Sequence, residues 1–295
     1  MPDWIVVIIL GVIEGITEFL PISSTGHLLI AERWLPRQSD LFNIVIQCGA
    51  VIAVLPLFPE RCRQLIYGWR DDYSRDFMLK IMTAFALTGM GGLVLEKLHF
   101  KLPEKLLPVA LAMLIGGLLF VWVERWLRGR HLANEITWTI ALLVGVGQLV
   151  AAVFPGTSRS GATILLMLAW GLSRPLATEF SFLVGVPTML AAGGLKIFKA
   201  LHHPIPGVLP ENWALLALCT VVSAVVSFIA VKWLLRFIQT HTFTGFGWYL
   251  IVFGLLILLL WRLARRSFPH RYFVNPVLNT FWGYALYSCS GRFSP

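Results

Sequence analysis

Two acidic residues, Glu14 and Glu18, carry the strongest chemical signal in this sequence because they interrupt an apolar N-terminal segment. Their spacing of four residues puts both side chains on one face of a helix. A charged side chain at membrane depth costs about 2.5 to 3.5 kcal/mol on insertion scales, so the pair indicates a bound cation or proton. Paired carboxylates suit Mg2+ or Ca2+ better than zinc. A proton or sodium site of a transporter is the alternative.

A cluster of hydroxyl groups and one imidazole follows directly, in the run Pro21-Ile22-Ser23-Ser24-Thr25-Gly26-His27. Ser23, Ser24 and Thr25 offer hydroxyls and backbone N–H groups to an anion. His27 offers a nitrogen for acid–base or nucleophilic chemistry. Taken alone, the hydroxyls fit the N-cap of a following helix equally well, and His27 fits a hydrogen-bonded interior histidine.

A second polar cluster interrupts the other half of the chain, in the run Thr157-Ser158-Arg159-Ser160-Gly161. The planar guanidinium of Arg159 matches the oxygens of a phosphate group. An interfacial arginine that extends its head towards water is the alternative. Carboxylates, a metal ion, a hydroxyl nucleophile, an imidazole and an arginine are together the groups used in phosphoryl transfer.

The composition places these groups in a polytopic membrane protein. The chain is 57% hydrophobic and only 13% charged, with a mean hydropathy of +0.76, which leaves too little polar surface for a soluble protein of 295 residues. The net charge of +9 comes from basic residues in short loops between apolar stretches, so it excludes nucleic acid as a favoured partner. The four cysteines are scattered and predict no disulfide framework.

The pattern of apolar stretches predicts an all-α fold. Eight stretches are long enough to cross or enter a bilayer, at 4–20, 41–58, 77–95, 106–123, 136–154, 178–198, 213–235 and 246–263. Two shorter runs, 28–35 and 162–172, each follow a Pro-Ser/Thr cluster. We expect each short run to be the second arm of a re-entrant helical hairpin.

Basic residues predict the orientation of the chain in the membrane. They concentrate in two loops, at Arg61, Arg63, Arg70 and Arg75 and at Arg125, Arg128 and Arg130. Both loops are therefore assigned to the cytoplasm. Residues 1–40 then enter from the outer side, whereas residues 136–172 enter from the cytoplasmic side.

An internal repeat supports opposite orientations of the two halves. A shift of 134 residues lays Glu14 on Gln148, Pro21 on Pro155, Ser23-Ser24 on Thr157-Ser158 and Thr25 on Arg159. We predict one membrane domain, 1–264, made of two inverted-topology repeats at about 4–130 and 136–264. In such proteins ligand sites lie near the midplane, where broken helices meet. The C-terminal extension, 265–295, is assigned no function.

The two polar clusters also resemble those of a known family, the bacterial undecaprenyl pyrophosphate phosphatases. Residues 14–27, EGITEFLPISSTGH, resemble the first signature of that family, and residues 154–163, FPGTSRSGAT, resemble the second. The resemblance extends over residues 4–262. It implies a protein with about six transmembrane helices and two re-entrant hairpins, often a homodimer, in the bacterial cytoplasmic (inner) membrane, with its active site open to the outer side.

The activity that the resemblance implies is hydrolysis of undecaprenyl pyrophosphate to undecaprenyl phosphate and inorganic phosphate. This reaction recycles the lipid carrier for peptidoglycan synthesis and confers bacitracin resistance. By position, Glu14 and Glu18 would bind the divalent cation, and the catalytic residues would be Glu18, Ser24, His27 and Arg159. The phosphate-binding residues would be Ser23, Thr25, Gln47, Ser158, Arg159, Ser160 and Thr163.

The attacking atom and the function class each have an alternative. We expect Ser24 to attack phosphorus, with His27 or Glu18 accepting its proton. The competing assignment makes His27 the nucleophile and leaves Ser23 and Ser24 as phosphate-binding donors. At the level of the whole protein, the alternatives are a secondary transporter or lipid-carrier flippase, and a non-catalytic scaffold.

Overall fold

The computed structural model describes residues 1–68, 71–98, 100, 105–202 and 212–267, with side chains up to residue 263. Arg70, one of the basic residues that predict the orientation, lies outside these residues, as does the extension beyond residue 267. In the described part of the chain the regular structure is helical, apart from one isolated bridge between Ala133 and Leu172. The predicted all-α fold class is therefore confirmed.

Eleven α-helices form the described structure. They are α1 (Asp3–Thr17), α2 (Ser24–Ala31), α3 (Asp40–Val54), α4 (Pro59–Tyr67), α5 (Asp72–Lys97), α6 (Leu106–Trp126), α7 (Trp138–Val153), α8 (Arg159–Ala169), α9 (Arg174–His202), α10 (Trp213–Phe237) and α11 (Thr244–Ser267). Each of the eight predicted stretches overlaps one of these helices. The short helix α4 was not predicted, because its sequence PERCRQLIY is too polar to stand out as an apolar run.

Six of the helical segments are long and apolar enough to cross a membrane. They are Asp40–Leu57, which continues α3 through a short 3-10 turn, and α5, α6, α9, α10 and α11 up to Leu263. This number agrees with the predicted six. Helices α7 and α8 are apolar but shorter. At about 1.5 Å per residue, the 15 residues of α1 also fall short of a hydrocarbon core of about 30 Å. The inverted symmetry and the re-entrant position of the short helices remain predictions.

Small residues bring the helices together at close range. A Cβ atom added at Gly117 of α6 would lie 2.6 Å from the carbonyl oxygen of Gly247 in α11, so this crossing requires glycine. Gly15 of α1 has the same role against α10, where a Cβ would lie 2.8 Å from the Ser223 carbonyl oxygen. Ser227 of α10 donates a hydrogen bond of 3.0 Å to the Gly15 carbonyl oxygen. Such contacts replace the hydrophobic effect as the source of helix association inside a membrane.

One buried ion pair joins three helix ends. Glu124, at the end of α6, is 1% exposed and accepts a hydrogen bond of 2.9 Å from Nε of Arg174 at the start of α9. The same carboxylate accepts one of 2.8 Å from the backbone N–H of Phe243, just before α11. The Glu124 carboxylate therefore connects the end of α6 to the start of α9 and to the residue before α11.

Two polar turns position the candidate catalytic residues. The first joins α1 to α2, and the second joins α7 to α8. Ser23 caps α2 by accepting a hydrogen bond of 3.3 Å from the Gly26 N–H, and Ser158 caps α8 by accepting one of 3.1 Å from the Gly161 N–H. The N-cap interpretation of the first hydroxyl cluster is thus confirmed for Ser23. The two caps are 135 residues apart rather than 134, so Arg159 corresponds by cap position to Ser24 and not to Thr25.

Candidate active site

The two turns enclose a polar cavity of about 380 Å3 together with α3, α5 and α9. This volume lies within the range of about 300 to 1,000 Å3 that is usual for small-molecule sites. The cavity contains seven of the sequence-predicted residues, namely Glu18, Ser23, Ser24, Thr25, Gln47, Ser158 and Arg159. It therefore joins the acidic cluster of the first half to the basic cluster of the second.

Glu18 is the central residue of the cavity. Its Oε2 atom accepts a hydrogen bond of 2.8 Å from the Ser24 hydroxyl, and its Oε1 atom accepts one of 3.2 Å from Nη2 of Arg159. All three groups are largely buried. One carboxylate thus links a candidate nucleophile to a candidate phosphate-binding group.

Arg159 retains hydrogen-bonding capacity beyond its bond to Glu18. A guanidinium has five N–H groups, and its buried Nε atom has no partner within the described residues. Gly185 of α9 leaves the space in which the guanidinium lies, since a Cβ atom at that position would collide with Nη1. The arginine is therefore held between Glu18 and α9, with N–H groups free to bind an anion.

Glu14 lies deeper than Glu18 and is fully buried. Neither of its carboxylate oxygens has a hydrogen-bond partner among the described residues, although Glu18 and Gln47 lie beside it. Two adjacent buried carboxyl groups require a proton or a cation between them. The orphaned oxygens fit a hard divalent cation.

The protein alone does not complete such a cation site. Within the described residues no group of three or more His, Cys, Asp or Glu side chains could hold a metal ion. Mg2+ is commonly held by one or two carboxylates together with substrate phosphates and waters. The pair Glu14 and Glu18 matches that pattern, with the remaining ligands supplied by a phosphate substrate.

His27 lies outside the residues that line the cavity. Its Nδ1 atom is 2.8 Å from the carbonyl oxygen of Ser23, and its Nε2 atom is 2.6 Å from the hydroxyl of Tyr249 in α11. A carbonyl only accepts, so Nδ1 carries the proton, and the neutral ring then accepts the tyrosine proton at Nε2. The ring also stacks on Phe253 at 4.3 Å between centroids. The structure therefore directs the imidazole towards α11.

The chain resembles known proteins along most of its length. Residues 7–256 match the family of the bacitracin resistance protein BacA. The chain belongs to this family. It is 52% identical over 258 residues to an undecaprenyl-diphosphatase of Rhizobium etli (strain CIAT 652), covering 87% of this chain and 96% of the relative. It is 47% identical over 266 residues to an undecaprenyl-diphosphatase of Xanthomonas oryzae pv. oryzae (strain PXO99A), covering 88% and 97%.

Two predicted phosphate-binding residues of this BacA-family chain do not line the cavity. Ser160 is fully buried, and its hydroxyl lies 3.0 Å from that of Ser158. The Thr163 hydroxyl lies 2.6 Å from that of Ser181 in α9. Both side chains point back over the first turn of α8, as side chains on a helix do, and so they support the turn rather than reach the cavity.

Four polar residues of the cavity were not predicted as site residues, namely Thr88, Gln148, Thr157 and Thr188. Nε2 of Gln148 donates a hydrogen bond of 3.1 Å to the Thr88 hydroxyl, which donates its own proton to the Ala84 carbonyl oxygen at 2.8 Å. Because Nε2 is the donor, the orientation of the Gln148 amide is defined, and its buried Oε1 atom has no partner within the described residues. The internal repeat already placed Gln148 opposite Glu14, and that match was the available signal.

Proposed function

We propose that this protein is a membrane-embedded undecaprenyl-diphosphatase, which hydrolyses undecaprenyl pyrophosphate to undecaprenyl phosphate and inorganic phosphate. The observation that carries the proposal is the bridge from Ser24 through Glu18 to Arg159 inside one polar cavity. Relatives that share about half of this sequence along nearly their whole length bear the name undecaprenyl-diphosphatase. A secondary transporter is not favoured by these names.

Ser24 is the nucleophile that the geometry supports best. Its hydroxyl forms a bond to the terminal phosphorus while the bridging P–O bond breaks, and the electron pair leaves with undecaprenyl phosphate. Glu18 accepts the Ser24 proton through Oε2, since the two atoms are already hydrogen-bonded at 2.8 Å. Glu18 gives that proton to the departing product. It then takes a proton from the water that attacks the phosphoserine and returns it to the Ser24 oxygen, as the bond between phosphorus and serine breaks and inorganic phosphate leaves. His27, directed towards α11, supports the turn in this scheme.

Arg159 binds the transferred phosphoryl group. Its guanidinium already lies 3.2 Å from Glu18 and has N–H groups available for the oxygens that gain charge in the transition state. Ser23, Thr25, Gln47 and Ser158 line the same cavity and offer further hydrogen bonds to the substrate phosphates. Glu14 and Glu18 would hold a divalent cation, Mg2+ or Ca2+, which would supply positive charge to the phosphate oxygens.

The basic residues of the loops support a location of the reaction at the outer side of the membrane. The protein is a multi-pass membrane protein with six candidate spans in its described part. The arginines of the loops near residues 61–75 and 125–130 favour the cytoplasm for both loops. The cavity then opens to the outer side of the bacterial cytoplasmic membrane, where recycling of the lipid carrier supports peptidoglycan synthesis and bacitracin resistance. A homodimer is the expected assembly.

The proposal is tested by phosphate release from purified protein in detergent. Wild-type protein with undecaprenyl pyrophosphate and Mg2+ or Ca2+ should release phosphate, and EDTA should stop the release. Arg159→Ala and Glu18→Ala should abolish it, whereas Arg128→Ala, at an exposed loop position, should not. Ion-coupled flux in proteoliposomes without any hydrolysis would instead identify a transporter.

A further inference from the structure

A second cavity lies beside the candidate active site and differs from it in chemistry. It has a volume of about 490 Å3 and lies between α6 and the turn that joins α7 to α8. Leu111, Ile115 and Leu119 of α6 form one wall, and Phe154, Leu165 and Leu166 form the other. None of the described residues that line it is charged. The cavity is therefore suited to a hydrocarbon ligand.

The two cavities share lining residues at the second polar turn. Thr157 and Ser158 line both of them, and Ser158 is the N-cap of α8. Pro21 of the first turn lines the apolar cavity as well. A molecule with a phosphate head and a hydrocarbon chain can thus place the head beside Arg159 and the chain against α6.

The apolar cavity is open towards the outside of the helix bundle. Ile115 and Phe154 line it, yet 56% and 47% of their surfaces are exposed. In a membrane this exposed side faces lipid. A long chain can therefore enter sideways from the bilayer and continue into it beyond the cavity.

We propose that this cavity, between α6 and the α7–α8 turn, binds the first isoprene units of the polyprenyl substrate. The proposal rests on the proposed function, because the pyrophosphate head in the polar cavity fixes which chain occupies the apolar one. Lipid tails are as apolar as leucine, so moving the chain from bilayer to cavity supplies little hydrophobic driving force. The contribution of the cavity is orientation, because it holds the chain so that the terminal phosphorus faces Ser24.

Gly116 of α6 offers a direct way to fill the cavity. It lines the cavity, and a Cβ atom at this position would meet no other atom within 4 Å. A side chain added at this position therefore begins in open space beside the cavity. Gly92 of α5 is a matched control, because it is also half-buried and equally free of neighbours but does not line the cavity.

The first test compares substrates of different chain length. Phosphate release is measured for Gly116→Phe and Gly92→Phe with undecaprenyl pyrophosphate and with the short methyl pyrophosphate, which carries no isoprene unit. We expect Gly116→Phe to lower kcat/KM for the long substrate about tenfold or more relative to the short one, and Gly92→Phe to leave the ratio unchanged. An unchanged ratio in Gly116→Phe would overturn the proposal.

The second test does not depend on activity. A prenyl phosphate with a benzophenone near its first isoprene unit is irradiated with the wild-type protein, and the labelled peptides are identified. We expect label in residues 111–119 or 154–166, removed by excess undecaprenyl phosphate. Label elsewhere overturns the proposal. A photoreactive phospholipid that labels the same peptides, with a label that excess undecaprenyl phosphate does not displace, also overturns it.

The two proposals can fail separately. If the wild-type protein releases no phosphate from any substrate, the proposed function fails, and the cross-linking result still decides whether a prenyl chain binds here. If the protein is a phosphatase but the label lies on other helices, only the cavity assignment fails. A disulfide-linked dimer formed through Ile115→Cys would show that a second copy covers this face of the protein. That result would also overturn the cavity assignment.

Discussion

The Ser24 hydroxyl and the Glu18 carboxylate are joined by a hydrogen bond of 2.8 Å, although five residues separate them in the chain. The bond connects the start of α2 to the end of α1 across a turn in which Ser23 has a φ of 70°. A left-handed backbone is unfavourable for serine and persists only where neighbouring contacts hold it. The turn therefore brings the Ser24 hydroxyl to the Glu18 carboxylate, and its left-handed backbone at Ser23 is locally strained.

Removal of the negative charge at position 18 should stop proton transfer from Ser24 without changing the shape of the side chain. We expect Glu18→Gln to lower kcat by about 10²- to 10⁴-fold, the range for loss of a general base. Initial rates of phosphate release from undecaprenyl pyrophosphate measure the effect. Glu135→Gln, at an exposed position, is the control, and an equal rate in Glu18→Gln and wild type would exclude Glu18 as the base.

A phosphoenzyme should form on Ser24 rather than on His27. With substrate labelled in its terminal phosphate, denaturation during turnover should trap phosphate that is stable in acid and labile in alkali. Ser24→Ala should remove the label. His27→Asn should retain it, because His27 contacts Ser23 and Tyr249 and not the cavity. Label that is labile in acid and stable in alkali would assign the attack to histidine.

Displacement of Arg159 by a single methyl group should lower activity although no polar group is changed. A Cβ atom at Gly185 would collide with the guanidinium, whereas one at Gly194 of the same helix would meet nothing within 4 Å. We expect Gly185→Ala to reduce kcat/KM by about 10²-fold, as displacement of a catalytic group by about 1 Å can do. Gly194→Ala should behave as wild type. Similar rates in the two variants would show that the position of Arg159 is not critical.

The sequence predicted the long helices and the contents of the cavity for different reasons. Stretches such as 106–123 are apolar over the length of a bilayer, and length and hydropathy alone identify them. Glu18 and Arg159 could be assigned to one site because charged side chains at membrane depth are costly and usually functional. Neither argument depends on how helices rotate against one another.

The remaining predictions depended on helix rotation and packing. His27 follows Ser24 within one helical turn, yet its ring packs on α11, which begins more than 200 residues later. Ser160 belongs to the same motif as Arg159, but its hydroxyl faces the turn. Thr88 lies in the apolar part of α5, as Thr83 does, and only its contact with Gln148 and its place in the cavity lining distinguish it. Motif membership identifies such residues without giving the direction of their side chains.

Loss of one partner of the buried ion pair should destabilise the fold away from the active site. Arg174→Ala leaves the Glu124 carboxylate, which is 1% exposed, without its charged partner. We expect a loss of about 3 to 5 kcal/mol in the free energy of unfolding, measured by thermal unfolding in detergent. The double variant Glu124→Gln/Arg174→Met should recover much of this loss, since it removes both charges. A stability equal to wild type in Arg174→Ala would mean that water reaches Glu124.

The amide of Gln148 should contribute to activity from the second half of the chain. Its Oε1 atom is buried in the cavity wall without a partner among the described residues, so it is ready to accept a hydrogen bond from a water or a protonated phosphate. Gln148→Met keeps the length of the side chain and removes this acceptor. We expect kcat/KM to fall by about tenfold, equivalent to a lost hydrogen bond of about 1.4 kcal/mol. Thr88→Val removes only the support of the amide and should cause a smaller loss, because Gln148 remains. Equal activity in Gln148→Met and wild type would show that the unpaired oxygen has no role in the reaction.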